Sequence, residues 1–314
     1  MKVVKPKKLN NNDLIGVVSP SSLPSDLSRI NKGIEYLEKC GFRVKVGKNV
    51  GKFRGYLAGT DEERLSDIHD MFSDKEVKAV FAIRGGYGSG RLLEKLNYNL
   101  IKKNPKIFVG YSDITALQNA IFSKTGLITF AGPMVAVDFG GDKINEFAEA
   151  NFWEMLTNNK KVGKLLNPNS EKLFVLNKGR GEGKLLGGNL AVLASLFGST
   201  YVPSFKNSIL FIEEIGESPY RVDRMLNQLR IAGVFKNLQG VLLGRFVDCY
   251  ETDTEKKSLT LNEVIADYFD DLKIPVMYNF IHGHVPDTLT VPIGANTKIN
   301  ASRGFVEITE NVLS

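Results

Sequence analysis

The chain predicts an α/β protein: an N-terminal parallel-sheet, Rossmann-like domain with a nucleophile elbow, followed by a C-terminal mixed α/β domain rich in short β segments. Three observations carry this. Short apolar runs alternate with helix-period segments over the first ~130 residues, the pattern of βαβ units around a parallel sheet. The stretch Lys106–Phe122 compresses a strand, a one-glycine turn and a helix into seventeen residues. Beyond residue 270 the apolar runs shrink to three or four residues each, as short β segments do.

In order, Asp13–Val18 reads as a buried strand that stops at the Ser/Pro loop 19–22. Ser25 or Ser28 is placed to cap a helix through Ile30, Ile34 and Leu37 that ends near Gly41. Phe42–Val46 alternates as a strand, and Thr60 with Glu63 forms a capping box opening a helix through Leu65, Ile68 and Phe72. Val77–Ile83 is a strand, followed by the loop Arg84-Gly-Gly-Tyr-Gly-Ser-Gly90 and a short helix at Arg91–Leu96. Ile107–Val109 is a strand, and Ile114, Leu117 and Ile121 place one apolar face on the next helix. A further helix covers Phe147–Leu156.

Composition turns loop-like after residue 158, which divides the chain into a domain over 1–158, a linker over 159–184 and a domain over 185–314. The second domain opens with a glycine turn feeding the apolar helix that ends at Phe197, then a strand at Ile209–Ile212 closed by Glu213 and Glu214. Helical spacing returns at Tyr220–Ala232 and Leu261–Phe269, with a strand at Gly240–Val247 between them. Short β segments follow at 276–278, 289–292, 297–299 and 305–308.

Lys and Arg exceed Asp and Glu by 41 to 35, a net charge of +6 that is diffuse apart from Lys2–Lys8. Nucleic-acid binding wants a concentrated basic face, so none is expected. No apolar run approaches the ~18 residues of a membrane span, so no membrane association is expected either. Two scattered cysteines, Cys40 and Cys249, without CxxC spacing, and a total of three histidines argue against a zinc cluster, and the cysteine use argues for the cytoplasm. No metal or cofactor is expected.

Chemistry concentrates at strand ends, where ligands of parallel sheets bind. Ser112 follows Val109-Gly-Tyr in the layout of an elbow, although Ile114 stands where G-x-S-x-G has its second glycine; it is equally placed to cap the helix. The glycine loop lacks G-K-[ST], and Arg91 replaces the third glycine of G-x-G-x-x-G. Its amides suit a developing oxyanion better than a nucleotide. Glu213 and Glu214 end a buried strand, where a carboxylate must be paired, hydrated or functional. His282 and His284 flank Gly283, and one of them suits a base.

These motifs together resemble the serine-peptidase family of L,D-carboxypeptidases, which includes murein tetrapeptide carboxypeptidases and microcin C immunity proteins. The resemblance runs through residues 13–21, Arg84–Gly88, Gly110–Thr115, Gly187–Leu190, Glu213–Arg224, Gly283–His284 and Pro292–Gly294. It implies a triad of Ser112, Glu213 and His284, with His282 in place of an apolar residue and Glu214 as the rival acid. It implies oxyanion donors at the Asp113 amide and at Gly85 or Gly86. The substrate it implies is a small murein peptide losing its terminal D-alanine during wall recycling, or alternatively an aminoacyl-nucleotide phosphoramidate. A substrate carboxylate needs a cationic partner, for which Arg84, Arg221 and Arg224 are candidates. Relatives are commonly homodimers. The rival from another class is a non-catalytic two-domain protein that binds a peptide or nucleotide and uses Ser112 as a cap.

Overall fold

In the computed structural model, which describes residues 2–168 and 171–314, strands and helices alternate through the first half. They are β1 (Leu14–Val18), α1 (Ser28–Lys39), β2 (Arg43–Val46), α2 (Asp61–Ser73) and β3 (Val77–Ala82). Next come α3 (Tyr98–Lys103), β4 (Ile107–Val109), α4 (Thr115–Thr125), β5 (Thr129–Ala131) and α5 (Glu146–Thr157). The second half contributes β6 (Gly163–Leu165), β7 (Phe174–Asn177), β8 (Arg180–Asn189), α6 (Leu190–Leu196), β9 (Ser208–Ile215) and α7 (Pro219–Ile231). It ends with β10 (Gly240–Val247), α8 (Leu261–Phe269), β11 (Val276–Tyr278), β12 (Val291–Ile293), β13 (Asn296–Asn300) and β14 (Phe305–Ile308).

Two sheets result, ordered β12-β5-β4-β3-β1-β2 and β6-β14-β13-β8-β9-β10-β11-β7. The first is parallel except for β12, which leaves the second half of the chain to pair antiparallel with β5. The second has a parallel centre, β8-β9-β10-β11, and antiparallel flanks. This is the mixed α/β architecture expected. Strands β1 and β4 are buried along their whole length, which explains their unbroken apolar sequence.

The Thr60–Glu63 capping box opens α2 as read from the sequence. Other expectations shift. Neither Ser25 nor Ser28 caps α1; the helix starts at Ser28, whose amide bonds the Asp26 carboxylate at 2.9 Å. Arg91–Leu96 is not an α-helix. A 3-10 turn at Ser89–Leu92 tucks Leu92 into the core, and the helix comes later as α3, capped by Asn97. Residues 169 and 170 of the expected linker lie outside the described residues.

The halves share one core, in which Ile15, Val80 and Phe108 of the first sheet join Phe211, Leu242 and Phe280 beside the second. Helix α4 sits across the join. Its Thr115 hydroxyl accepts the Asn189 amide at 3.0 Å, and Asn119 donates to the Gly187 carbonyl at 2.9 Å. A β-carbon at Gly188 would stand 2.5 Å from the Thr115 hydroxyl, so glycine is what lets β8 approach. The carboxyl ends of β4 and β9 thereby face each other. No helix among the described residues is long and apolar enough to cross a membrane.

Candidate active site

Ser112 follows β4 with φ of 62°, the left-handed region where a non-glycine residue is strained. The strain points its hydroxyl away from the helix that follows. It caps nothing: α4 is preceded by a 3-10 turn at Ser112–Ile114 with no side-chain cap. The hydroxyl instead donates to His284 Nε2 at 3.0 Å, and His284 Nδ1 donates to Glu213 Oε2 at 2.9 Å. Three residues spread over 172 positions of sequence thus form one hydrogen-bonded chain. The order Ser112–His284–Glu213 has the layout of a nucleophile, its base and the group that orients the base.

The glycine loop after β3 packs on the serine. A β-carbon at Gly85 would lie 2.8 Å from the Ser112 β-carbon and 3.2 Å from the Asp113 amide, so only glycine brings this backbone so near. Asp113 fastens the loop from the other side. Its carboxylate accepts the Ser21 hydroxyl at 2.5 Å and the Ser89 amide at 2.7 Å, while the Ser89 hydroxyl donates to the Asp113 carbonyl at 2.5 Å. The side chain of Asp113 is therefore structural, and its amide lies where the Gly85 backbone closes on the serine, while Gly86 packs on Ser22.

Glu213 and Glu214 separate cleanly. Glu213 is 1% exposed, and Gly244 and Gly283 leave the room it occupies: β-carbons there would come within 3.0 Å of its Cβ and 2.9 Å of its Oε2. Glu214 points to the other face of β9 and accepts from Asn189 Nδ2 at 2.9 Å and from the Ala191 and Ile215 amides at 2.7 and 2.8 Å. It satisfies the N-terminus of α6. Burial pushes the Glu214 carboxyl up, against those bonds. His282 is fully buried, with Nδ1 2.6 Å from the Leu289 carbonyl, and burial pushes its imidazole below the usual range. Burial also pulls His284 down. However, the bond to Glu213 and the charges of Glu213, Glu214 and Asp138 outweigh it, and His284 is held above the ordinary histidine value.

Cavities open on both sides of this chain of bonds. One of about 630 Å³ is lined by Tyr87, Arg91, Ser112, Asn189, Glu214 and Glu217. Another of about 440 Å³ lies behind the imidazole, between His284, Tyr111, Asp138 and Arg29. Asp138, set in a π-turn at Val135–Phe139, has its carboxyl raised by burial to about 6. Of the candidate arginines, Arg84 donates to the Leu23 carbonyl, Arg221 pairs with Glu217 at 3.3 Å and Arg224 lies 5.4 Å over the Tyr220 ring. None of the three lines the cavity beside Ser112; Arg91 does, with both its bonds going to Asp61 at 3.0 and 2.9 Å. Sequence reading missed Asp138, which sits among the apolar residues 134–139 with nothing in its spacing to mark it; Tyr111 and Asn189 fell within the motifs read but were given no role.

Known proteins supply the class of chemistry. The profile described as LD-carboxypeptidase N-terminal domain matches residues 15–132, and that described as LD-carboxypeptidase C-terminal domain matches residues 182–299. The chain belongs to the LD-carboxypeptidase family. It is therefore an enzyme, a hydrolase of the serine carboxypeptidase type. The "Probable murein peptide carboxypeptidase" of Bacillus subtilis is 42% identical over 98% of this chain and 95% of its own length. The microcin C7 self-immunity protein MccF of Escherichia coli is 32% identical over 96% of this chain and 94% of its own. A structure of MccF in complex with aspartyl sulfamoyl adenosine superposes with a TM-score of 0.90 at 29% identity, covering 99% of this chain and 100% of that one. The muramoyltetrapeptide carboxypeptidase from Oxalobacter formigenes superposes with a TM-score of 0.82 at 31% identity, over 93% of this chain and 97% of its own.

Proposed function

We propose that the protein releases the terminal D-alanine from murein tetrapeptides by acyl transfer to Ser112. The observation that carries this reading is the bond chain from Ser112 through His284 to Glu213, at 3.0 and 2.9 Å, at the mouth of a cavity large enough for a short peptide. Ser112 Oγ attacks the carbonyl of the third residue as His284 Nε2 takes its proton, and Glu213 steadies the imidazolium. The amide of Asp113 and one from Gly85 or Gly86 hold the tetrahedral oxyanion. Its collapse breaks the amide bond, and His284 returns the proton to the leaving amine of D-alanine. Water, deprotonated by His284, then cleaves the ester, freeing the tripeptide carboxylate and the serine.

The reading places the enzyme in the cytoplasm, where both cysteines, free thiols here, keep that form. Arg84, Arg221 and Arg224 remain the proposed partners of substrate carboxylates, reached by movement of their side chains.

The likeness to MccF favours a second reading, hydrolysis of an acyl phosphoramidate on a nucleotide. Among the described residues that line the cavity, the one cation, Arg91, is already held by Asp61. Glu214 and Glu217 are themselves bonded, to Asn189 with the Ala191 amide and to Arg221, so a phosphate finds no free cationic partner there. Mass spectrometry of a murein tetrapeptide incubated with the protein is expected to show free D-alanine and tripeptide. Turnover of a peptidyl-adenylate analogue with an untouched tetrapeptide would replace the first reading by the second.

A further inference from the structure

We propose that Tyr56 and Tyr87 form an aromatic lip that receives a ring carried by the substrate at the end away from the scissile bond. The choice of probes, though not the lip itself, rests on the peptidase reading above. Both side chains are large and lie open to solvent, Tyr56 at 68% and Tyr87 at 55%, although Tyr87 lines the cavity that holds Ser112. Exposed aromatic surface continuous with a functional cleft is characteristic of ligand contact.

Their backbones are fixed, which loop tips seldom are. The Ser22 hydroxyl donates to the Tyr56 carbonyl at 2.6 Å and accepts the Tyr87 amide at 3.1 Å, tying the two loops through one side chain. Two bonds between Arg54 and Leu57, at 2.8 and 3.1 Å, close the turn that presents Tyr56, with Gly55 at φ of 61° making it possible. A β-carbon at Gly86 would lie 2.7 Å from the Ser22 side chain, so glycine permits the close approach. The backbone share of the lip's ordering entropy is thus already spent before a ligand arrives.

The rings meet edge to face, with centroids 5.5 Å apart and planes at 70°, and so form two walls of a corner. Such a corner suits a ring laid flat on one tyrosine and edged by the other. Arg91 beside it is held by Asp61, so the recognition offered at this end is by face contact more than by charge. Three extended residues span about 10 Å, which sets the distance from the attacked carbonyl to a group on the peptide's amino end. A muramoyl sugar on that amino end, which presents its C–H face, is the ring the lip takes; the purine of an aminoacyl nucleotide hangs on the leaving-group side of the attacked carbonyl, at the other end.

The test uses the Ser112→Ala protein, which binds without turning over, and calorimetric titration with three probes: a murein tetrapeptide, the same peptide bearing N-acetylmuramic acid, and a peptidyl sulfamoyl adenosine. The muramoyl peptide is expected to bind about tenfold tighter than the bare peptide. Adding Tyr56→Ala or Tyr87→Ala erases that advantage, while Tyr87→Phe keeps it. Equal affinity for the bare and muramoyl peptides, or an advantage that survives both alanine changes, overturns the lip, as does an adenosine affinity that is the one lost with the tyrosines. Turnover of the bare tetrapeptide by the unaltered enzyme is measured separately. Its absence sinks the peptidase reading, while the difference between the bare and muramoyl peptides still decides the lip.

Discussion

Ser112 and Glu213 each sit at the carboxyl end of a buried strand, β4 and β9, yet they are held by different means. On the serine side the devices are local. A positive φ, a glycine loop that only fits without a β-carbon, and an aspartate bonded to Ser21 and Ser89 all lie within about a hundred residues, and most touch the serine or its neighbour. The acid side relies on burial instead. Glu213 has one oxygen on His284 and the other, Oε1, without a partner among the described residues. A buried carboxylate with half its acceptors empty is costly unless a charge develops beside it. In the proposed acyl transfer the imidazolium is such a charge, and on that reading the acid side serves a transient state and the serine side a fixed one.

The sharpest way to break this contrast is to neutralise the two adjacent glutamates in turn. Glu213→Gln is expected to lower kcat by about 10³–10⁴-fold, because the amide cannot stabilise the imidazolium and offers Nδ1 the wrong partner. Glu214→Gln, which weakens the bonds to Asn189 and the α6 amides, is expected to cost about 1–2 kcal/mol of stability with activity retained within about tenfold. Equal losses from the two changes, in kinetics and in thermal melts, would erase the distinction.

The serine side is tested by Gly85→Ala. The new methyl would lie 2.8 Å from the Ser112 β-carbon, and displacing the loop by a fraction of an ångström is expected to cost about 10²-fold in kcat/KM while the protein stays folded with a melting midpoint lowered by a few degrees. Undiminished activity would show that the loop does not set the serine.

A smaller effect links the sides through His284. If His284 takes the serine proton as proposed, its imidazole must be neutral, and kcat/KM is expected to rise with pH through its raised value and level off above it. Asp138→Asn removes one of the charges that raise it and is expected to move the acidic limb to lower pH by less than about one unit, with the plateau kept. Because the Asp138 carboxyl itself titrates near 6, its influence fades in the lower part of that limb. A limb that stays in place would remove Asp138 from the account.

The same contrast explains what could be read from the sequence. The N-terminal alternation and the Thr60 cap are properties of neighbouring residues, and both were legible. So was the glycine loop beside Ser112, since both follow adjacent parallel strands. The φ of Ser112 was not, because the same serine at φ below zero makes an ordinary helix cap. Leu92, Leu93 and Leu96 imitate a helix, but Gly88 and Gly90 and the Ser89–Asp113 bonds impose a tighter turn. Nor does any local pattern send β12 to the first sheet or distinguish Glu213 from Glu214, which the pleat of β9 turns to opposite faces.

The covalent intermediate tests the central claim most directly. The protein is mixed with excess murein tetrapeptide, quenched in acid within the first turnovers, and its mass measured intact and after digestion. The account predicts added mass equal to the tripeptide acyl group on the peptide containing Ser112, and neither adduct nor turnover in Ser112→Ala. D-alanine release that continues in Ser112→Ala, with no adduct on the unaltered protein, would contradict it.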